Sequence, residues 1–372
     1  NNMISVFGCK TGQEEIDLVT EVLHSQWLGL GKYVNTFENE FSIFRRLNNF
    51  IMVDSGSNAL YLGITLLDLP PGSEIILPSL TWVSCAQAVL LAGHKPVFCD
   101  VDLDTNNTTV DLIQEHITDK TKAIMVVHFA GKPVDIDPII NLGYPVIEDA
   151  AHAVCSSYKG KSCGSLGDVG IFSFDAVKNL TAGEGGGVAM KNPDLLERAK
   201  QLRYCGIGKS GFETASTDAK GKSRWWEYDI QEPFIKMLPN NITAAIALAQ
   251  LHKIDILQKY RKQIYDYYQS NLKNIGDIIL PAQCAKYEEH SYFTYVIRTE
   301  KRDDLANYLL DNGIYTTLRY HPLHLNPIYK SDSKLSNSEK LNETALSIPL
   351  HPNMSEKDIE YVVKKIRDFF NE

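Results

Sequence analysis

Residues 168–190 read DVGIFSFDAVKNLTAGEGGGVAM, and the fold follows from how this stretch divides. Val169–Phe174 is apolar apart from Gly170 and Ser173, the run expected of a short strand covered on both faces. Lys178 follows in a turn closed by Gly183 and then by Gly185, Gly186 and Gly187, so the chain returns through glycine. A lysine held between a strand end and such a return can be stripped of water. Desolvation lowers the pKa of the amine and makes it a nucleophile able to form a Schiff base. A solvated loop lysine is the plain alternative.

The flanking sequence alternates short apolar strands with helices. Strands are expected at Phe50–Val53, Glu74–Leu77, Pro96–Asp100, Ala123–Val127 and Pro145–Ile147. Helices are expected at Glu14–Leu23, Val34–Phe44, Ala59–Leu67, Trp82–Ala92, Val110–Ile117 and Ile136–Leu142. This order implies an α/β fold with a mainly parallel sheet covered on both faces. Ligands in such folds bind beyond the carboxyl ends of the strands, where Asp149, Lys178 and the Ser55–Asn58 turn all fall. Farther on, 209–232 lacks periodicity and reads as a surface loop near a site entrance. One long amphipathic helix over Ile242–Ile275 would connect to a smaller domain. That domain would hold strands Tyr292–Arg298 and Ile314–Arg319 and helices Arg302–Asn312 and Glu356–Phe370.

Three of these strand ends carry polar groups with two readings each. Ser55-Gly56-Ser57-Asn58 leads from a strand into a helix N-terminus, where free N–H groups and the helix dipole favour an anion such as phosphate. Ordinary capping by Ser57 or Asn58 is the alternative. Asp149 could reach into a cleft past small Ala150 and Ala151, or simply cap a helix. Trp82 could be core, or a flat surface against a planar cofactor.

The 372 residues suffice for two domains with a real core, and 44% hydrophobic with 22% charged content is ordinary for a globular chain. A net charge of −9 argues against nucleic acid as the main partner. No run of about eighteen apolar residues occurs, so no membrane span is expected. The seven scattered cysteines form no CxxC and no zinc-like cluster, which fits a reducing cytoplasm and no bound metal. No signal peptide is expected from the N-terminal residues.

Five segments in order carry a resemblance: VDSGSNALYLGITLL, ILPSLTWVSCAQAVLLAG, VHFAGKPVDID, VIEDAAHAV and FSFDAVKNLTAGEGGGVAM. Together they resemble the DegT/DnrJ/EryC1/StrS family of pyridoxal-phosphate-dependent sugar aminotransferases, and the likeness spans nearly the whole chain. PSLTWVS and IEDAAHAV look most like the UDP-4-amino-4-deoxy-arabinose aminotransferases, with members acting on nucleotide-linked 4-keto-6-deoxyhexoses nearly as close. The resemblance implies fold type I: a large domain over 1–250 with a seven-stranded, mainly parallel sheet in an α/β/α sandwich, and a small C-terminal α+β domain over 251–372.

It implies pyridoxal 5′-phosphate bound through Lys178, with Asp149 paired to the pyridinium nitrogen so that the ring accepts electrons. Trp82 and His152 match positions touching the ring, although His152 could equally be a satisfied buried histidine. Ser173 and the amides of Gly56, Ser57 and Asn58 match the phosphate-binding positions. Glu184 falls in the family's acidic-Gly-Gly segment. The reaction implied moves an amino group from glutamate, released as 2-oxoglutarate, to C4 or C3 of a nucleotide-linked keto-deoxy sugar. Sugar 3-dehydratases of the family replace the lysine with histidine, so Lys178 argues against that activity; a non-catalytic binding protein is the remaining rival. A homodimer with shared sites is implied. Lys236 matches the residue that reaches the neighbouring site, but its surroundings, Phe234-Ile235-Lys236-Met237-Leu238, depart from the family's. Arg319, in RYHPLH with His324, is unusual for the family. It would bind a donor carboxylate or nucleotide phosphate, or be a solvated strand-end arginine.

Overall fold

The computed structural model describes residues 2–210, 224 and 226–372. Its centre is a seven-stranded sheet: β1 (Phe50–Val53), β2 (Glu74–Pro78), β3 (Lys95–Cys99), β4 (Thr121–Val127), β5 (Val146–Asp149), β6 (Val169–Ser173) and β7 (Gly186–Met190). The spatial order is β1-β7-β6-β5-β4-β2-β3. Strands β2–β6 pair in parallel, whereas β7 runs antiparallel to both of its neighbours. The apolar runs are continuous because helices cover both faces, and β1, β2, β5, β6 and β7 are buried throughout. The expected mainly parallel sheet is therefore present, with the glycine return forming its one reversed strand.

Glycine makes that insertion possible. A Cβ at Gly186 would overlap the Ser55 carbonyl, and one at Gly187 would overlap the Phe50 ring, so β7 lies flush against β1. The helix after β1, α1 (Gly56–Leu66), approaches equally closely, since a Cβ at Gly63 would stand 2.7 Å from Ile171 Cδ1. Its buried Leu60, Leu62, Ile64 and Leu66 each contribute roughly 2 kcal/mol to seating the helix on the sheet. That contact fixes where the helix N-terminus points, which matters for the site.

A second layer of packing joins the later chain. The helix expected over 242–275 is two helices, α2 (Asn241–His252) and α3 (Ile254–Asn271). They break at Lys253, whose backbone is non-helical (φ −118°, ψ 17°) and whose ammonium bonds Glu14 and Glu15. Apolar periodicity runs through Leu248, Leu251, Ile254 and Leu257 undisturbed, so the pattern carries no sign of the break. Strand β8 (Tyr295–Arg298) pairs with β9 (Ala345–Ile348) rather than with a strand at 314–319. That segment is held by single bridges, Ile314 to Ile4 and Thr317 to Ser347. Ile4 thus packs on the cluster built by α3, β8, β9 and the helix Glu356–Phe369.

The loop expected over 209–232 lies largely outside the described residues. Its described ends pair as a ribbon, Ile207–Ser210 with Tyr228–Ile230. Among the described residues no helix is long and apolar enough to cross a membrane.

Candidate active site

The carboxyl ends of β1, β2, β4, β5 and β6 open onto one pocket. Gly56, Ser57, Trp82, Asp149, His152, Ser173, Lys178, Glu184 and Arg319 all line it. Among the sequence candidates, Asn58, Lys236 and His324 do not. Asn58 is consumed locally: its N–H goes to the Ser55 hydroxyl capping α1, and its amide group goes to Asp54. Lys236 is exposed and touches its own chain through a backbone bridge to Tyr204. His324 is buried against Ser79, which donates to its Nδ1 (2.6 Å) and accepts its backbone N–H (2.9 Å), pinning the 320s to the end of β2.

At the β1 end, missing side chains shape the cavity. A Cβ on Gly56 would stand 2.8 Å from Ser173 Cβ, so only glycine brings the start of α1 against the end of β6. The Ser173 hydroxyl accepts only a long 3.4 Å bond from the Asp175 amide, leaving its proton for a ligand. Ser57 and Ser84 share a 2.6 Å bond at the same end. Hydroxyls and helix-terminal amides are donors suited to an anion, yet Asp175 and Glu184 stand beside them. Burial, then the neighbouring Asp175 and Asp54, raises the Glu184 pKa above the usual carboxylate value.

Adjacent β5 residues serve opposite faces. Glu148 is buried with His128 and accepts the amides of Gly164, Leu166 and Gly167, fixing the turn before β6. Asp149 faces the pocket. It accepts the Ala151 amide (3.0 Å) on one oxygen and the Cys85 thiol (3.0 Å) on the other. Burial and the carboxylate hold that thiol well above its usual pKa, so it stays a donor.

Lys178 is buried, 6% exposed, with its ammonium 4.8 Å from the Phe293 ring centroid. Burial, then the Arg319 charge, lowers its pKa to about 8, against the pull of Asp175 and Asp149. The loop reading as a solvated lysine is excluded. A small aromatic aldehyde with borohydride should therefore label Lys178 of the ligand-free protein at a rate that climbs with pH and levels off above about 8. A midpoint near the ordinary 10.5 would mean that the amine is wet.

His152 is buried and satisfied, and it also lines the pocket. Its Nδ1 accepts the Ala130 amide (3.1 Å), which leaves Nε2 to donate to the Tyr320 hydroxyl (2.8 Å). Burial, Lys178 and Arg319 keep the ring neutral. The Tyr320 proton is then free for an acceptor in the pocket, and burial pushes its pKa up to about 12. Trp82 is 55% exposed, so it is no core residue; its ring stands 6.2 Å from that of Tyr320. Sequence reasoning missed Tyr320, Ser84, Thr81 and Asp175. Only the RYHPLH segment gave any sign of Tyr320.

Comparisons with known proteins agree with this geometry. The chain is 36% identical to the dTDP-4-dehydro-2,3,6-trideoxy-D-glucose 4-aminotransferase of Saccharopolyspora spinosa, over 98% of this chain and 96% of the relative. The solved aminotransferase TlmJ of Streptoalloteichus hindustanus superposes with a TM-score of 0.93 at 35% identity, covering 99% of this chain and 98% of that one. The PLP form of the putative sugar aminotransferase Spr1654 of Streptococcus pneumoniae superposes at 0.91 with 27% identity, covering 99% of each. The fold is that of fold type I, and residues 10–367 match the DegT/DnrJ/EryC1/StrS aminotransferase family, to which this chain belongs as an enzyme.

Proposed function

We propose that this enzyme moves an amino group from glutamate to the keto carbon, C4 or C3, of a nucleotide-linked keto-deoxy sugar, using pyridoxal 5′-phosphate. The observation that carries the reading is the buried Lys178 amine of lowered pKa in one pocket with the Asp149 carboxylate. The Saccharopolyspora relative, named for amination at C4 of a dTDP sugar, favours C4 and a dTDP-linked or similar hexose.

The pocket fits that cofactor by its donor set. The space kept open by Gly56, with the Ser57 and Ser173 hydroxyls, suits a phosphate; Trp82 offers a flat face for the ring. Asp149, anchored by one amide and one thiol, is the partner for a protonated pyridine nitrogen. When bound, the cofactor supplies the electron sink for loss of a carbon-bound proton. Lys178 would hold the cofactor at its aldehyde carbon, and as a free amine its Nζ would take the proton from the donor's α-carbon. A pKa near 8 suits both roles close to neutral pH. His152 holds Tyr320 with its proton directed elsewhere than to the imidazole.

The phosphate end has Asp175 and Glu184 beside it, so a dianion there needs a cation from elsewhere. Lys236, exposed and away from its own pocket, supplies that charge to a second copy in a homodimer with shared sites. The test is an absorbance spectrum of the protein with added cofactor. A visible band that glutamate bleaches toward shorter wavelength, and that a nucleotide-linked keto sugar restores, is the expected result. A protein that never acquires the band, or whose band glutamate leaves untouched, would overturn the reading.

A further inference from the structure

One cation in the pocket, Arg319, has no carboxylate partner among the described residues. Arg319 rests against three aromatic rings, its guanidinium carbon 4.3 Å from the centroid of Phe7, 4.9 Å from Phe293 and 5.2 Å from Tyr320. Phe7 and Phe293 are parallel, 5.8 Å apart, and the guanidinium lies across the pair. Rings satisfy its flat face but accept none of its in-plane N–H bonds. Among the described residues no carboxylate lies within ion-pair distance of it. Its Nε is buried with no acceptor. Buried Arg45 and Arg261 also have orphaned nitrogens, but they bond backbone carbonyls away from the pocket, whereas Arg203 pairs with Glu38 and Arg198 with Glu232 and Asp68; Arg319 is the arginine that lines the pocket. The solvated strand-end reading fails. A guanidinium fixed by stacking, with its Nε–H unfilled and its charge at a pocket wall, can receive an anion.

Position decides which anion. Lys178 Nζ and the Arg319 guanidinium carbon both lie within 5 Å of the Phe293 ring centroid. The charge of Arg319 is felt at both Lys178 and His152. The rings that hold it are those of Phe7, Phe293 and Tyr320, whereas Gly56, Ser57 and Ser173 form the proposed phosphate end. In an amino-acid donor the α-carboxylate is one bond from the carbon bearing the nitrogen. In a nucleotide sugar the diphosphate is separated from a C4 keto carbon by the width of the sugar ring. An anion held beside Lys178 is therefore the carboxylate. Resting on the proposed transamination, we infer that Arg319 anchors the α-carboxylate of the amino donor and so selects an α-amino acid for the first half of the cycle. The keto sugar, which lacks that group, enters after the 2-oxo acid has left.

The experiment compares wild type with Arg319→Met and Arg319→Lys, each first shown to melt like wild type. With cofactor-loaded enzyme, Arg319→Met should raise the half-saturating glutamate concentration by about 30- to 100-fold, the loss expected for a charge-assisted hydrogen bond. Arg319→Lys should recover part of it. Wild type should accept glutamine, which keeps the α-carboxylate, and reject isoglutamine, whose α-carboxylate is an amide; Arg319→Met should level that preference. Single-turnover amination of a dTDP-linked 4-keto-6-deoxyhexose by the pyridoxamine form should keep its wild-type concentration dependence. Calorimetric binding of 2-oxoglutarate should weaken in parallel with glutamate. If the sugar step loses affinity and the donor step does not, Arg319 holds the diphosphate and the inference is overturned. It is equally overturned if neither step changes. Failure of the transamination reading would show separately, as wild type whose visible band does not respond to glutamate. The 2-oxoglutarate titration would then still decide whether Arg319 holds a carboxylate.

Discussion

Lys178→Ala should lower turnover by at least about 10⁴-fold while leaving the protein folded, because one side chain performs two steps of the reaction. The variant should still bind pyridoxal phosphate through the Gly56–Ser57–Ser173 end and Asp149, but without the visible band of the lysine-linked form. Glutamate added to it should give no 2-oxoglutarate in a single-turnover assay. Folding should not suffer. The amine sits 6% exposed, and burial disfavours its charged form, so its removal costs no favourable ion pair. A melting temperature at or above that of wild type is expected. Retention of more than a tenth of wild-type turnover would show that another group moves the proton and would remove Lys178 from the centre of the reaction.

Asp149→Asn should cost about 10³-fold in the same assay, in the range known for losing one fixed charge or donor aimed at a developing charge. Asparagine keeps the size of the side chain and can still accept the Cys85 thiol on its oxygen. Its NH₂ group cannot accept the Ala151 amide now held at 3.0 Å, so one N–H loses its partner. The larger effect is electrostatic: in the proposed pairing, loss of the carboxylate would let the pyridine nitrogen lose its proton and leave the ring a poor electron sink. The substitution carries a second signature in Lys178. Asp149 is one of the charges that raise the Lys178 pKa, so removing it should move the aldehyde-labelling midpoint below about 8. A midpoint that rises, or activity within tenfold of wild type, would contradict the pairing. The double variant with Lys178→Ala should be no worse than Lys178→Ala alone, since both act in one step.

The apolar runs of the sheet were legible because a strand buried on both faces leaves a continuous hydrophobic signature. The glycine return after Lys178 was legible because close backbone approach leaves only glycine able to fit, as Gly186 and Gly187 demonstrate. Asp149, Ser173 and the Gly56–Ser57 turn could be placed together because parallel topology sends strand ends to one edge. Contacts with no local pattern escaped. The stacking of Phe7 and Phe293 beneath Arg319, and the His152–Tyr320 bond, join residues more than 150 positions apart. Asn58 falls outside the pocket for a different reason: the Ser55 hydroxyl takes its amide, a choice among neighbouring capping hydroxyls that the motif does not reveal. The break at Lys253 escaped because a single non-helical residue leaves side-chain periodicity intact.

The pair Glu148–Asp149 can be restated in terms of descent. Two carboxylates one residue apart answer to different pressures, because the pleat of β5 turns one toward the turn before β6 and the other toward the pocket. Glu148 answers to folding: it gathers three amides and an imidazole, and any descendant needing this sheet must keep it. Asp149 answers to the pocket, holding one amide and one thiol while it serves the role proposed above. In a lineage that abandoned transamination and kept the scaffold for binding, Asp149 would drift while its neighbour stayed fixed, so this dipeptide records whether a descendant is still an enzyme.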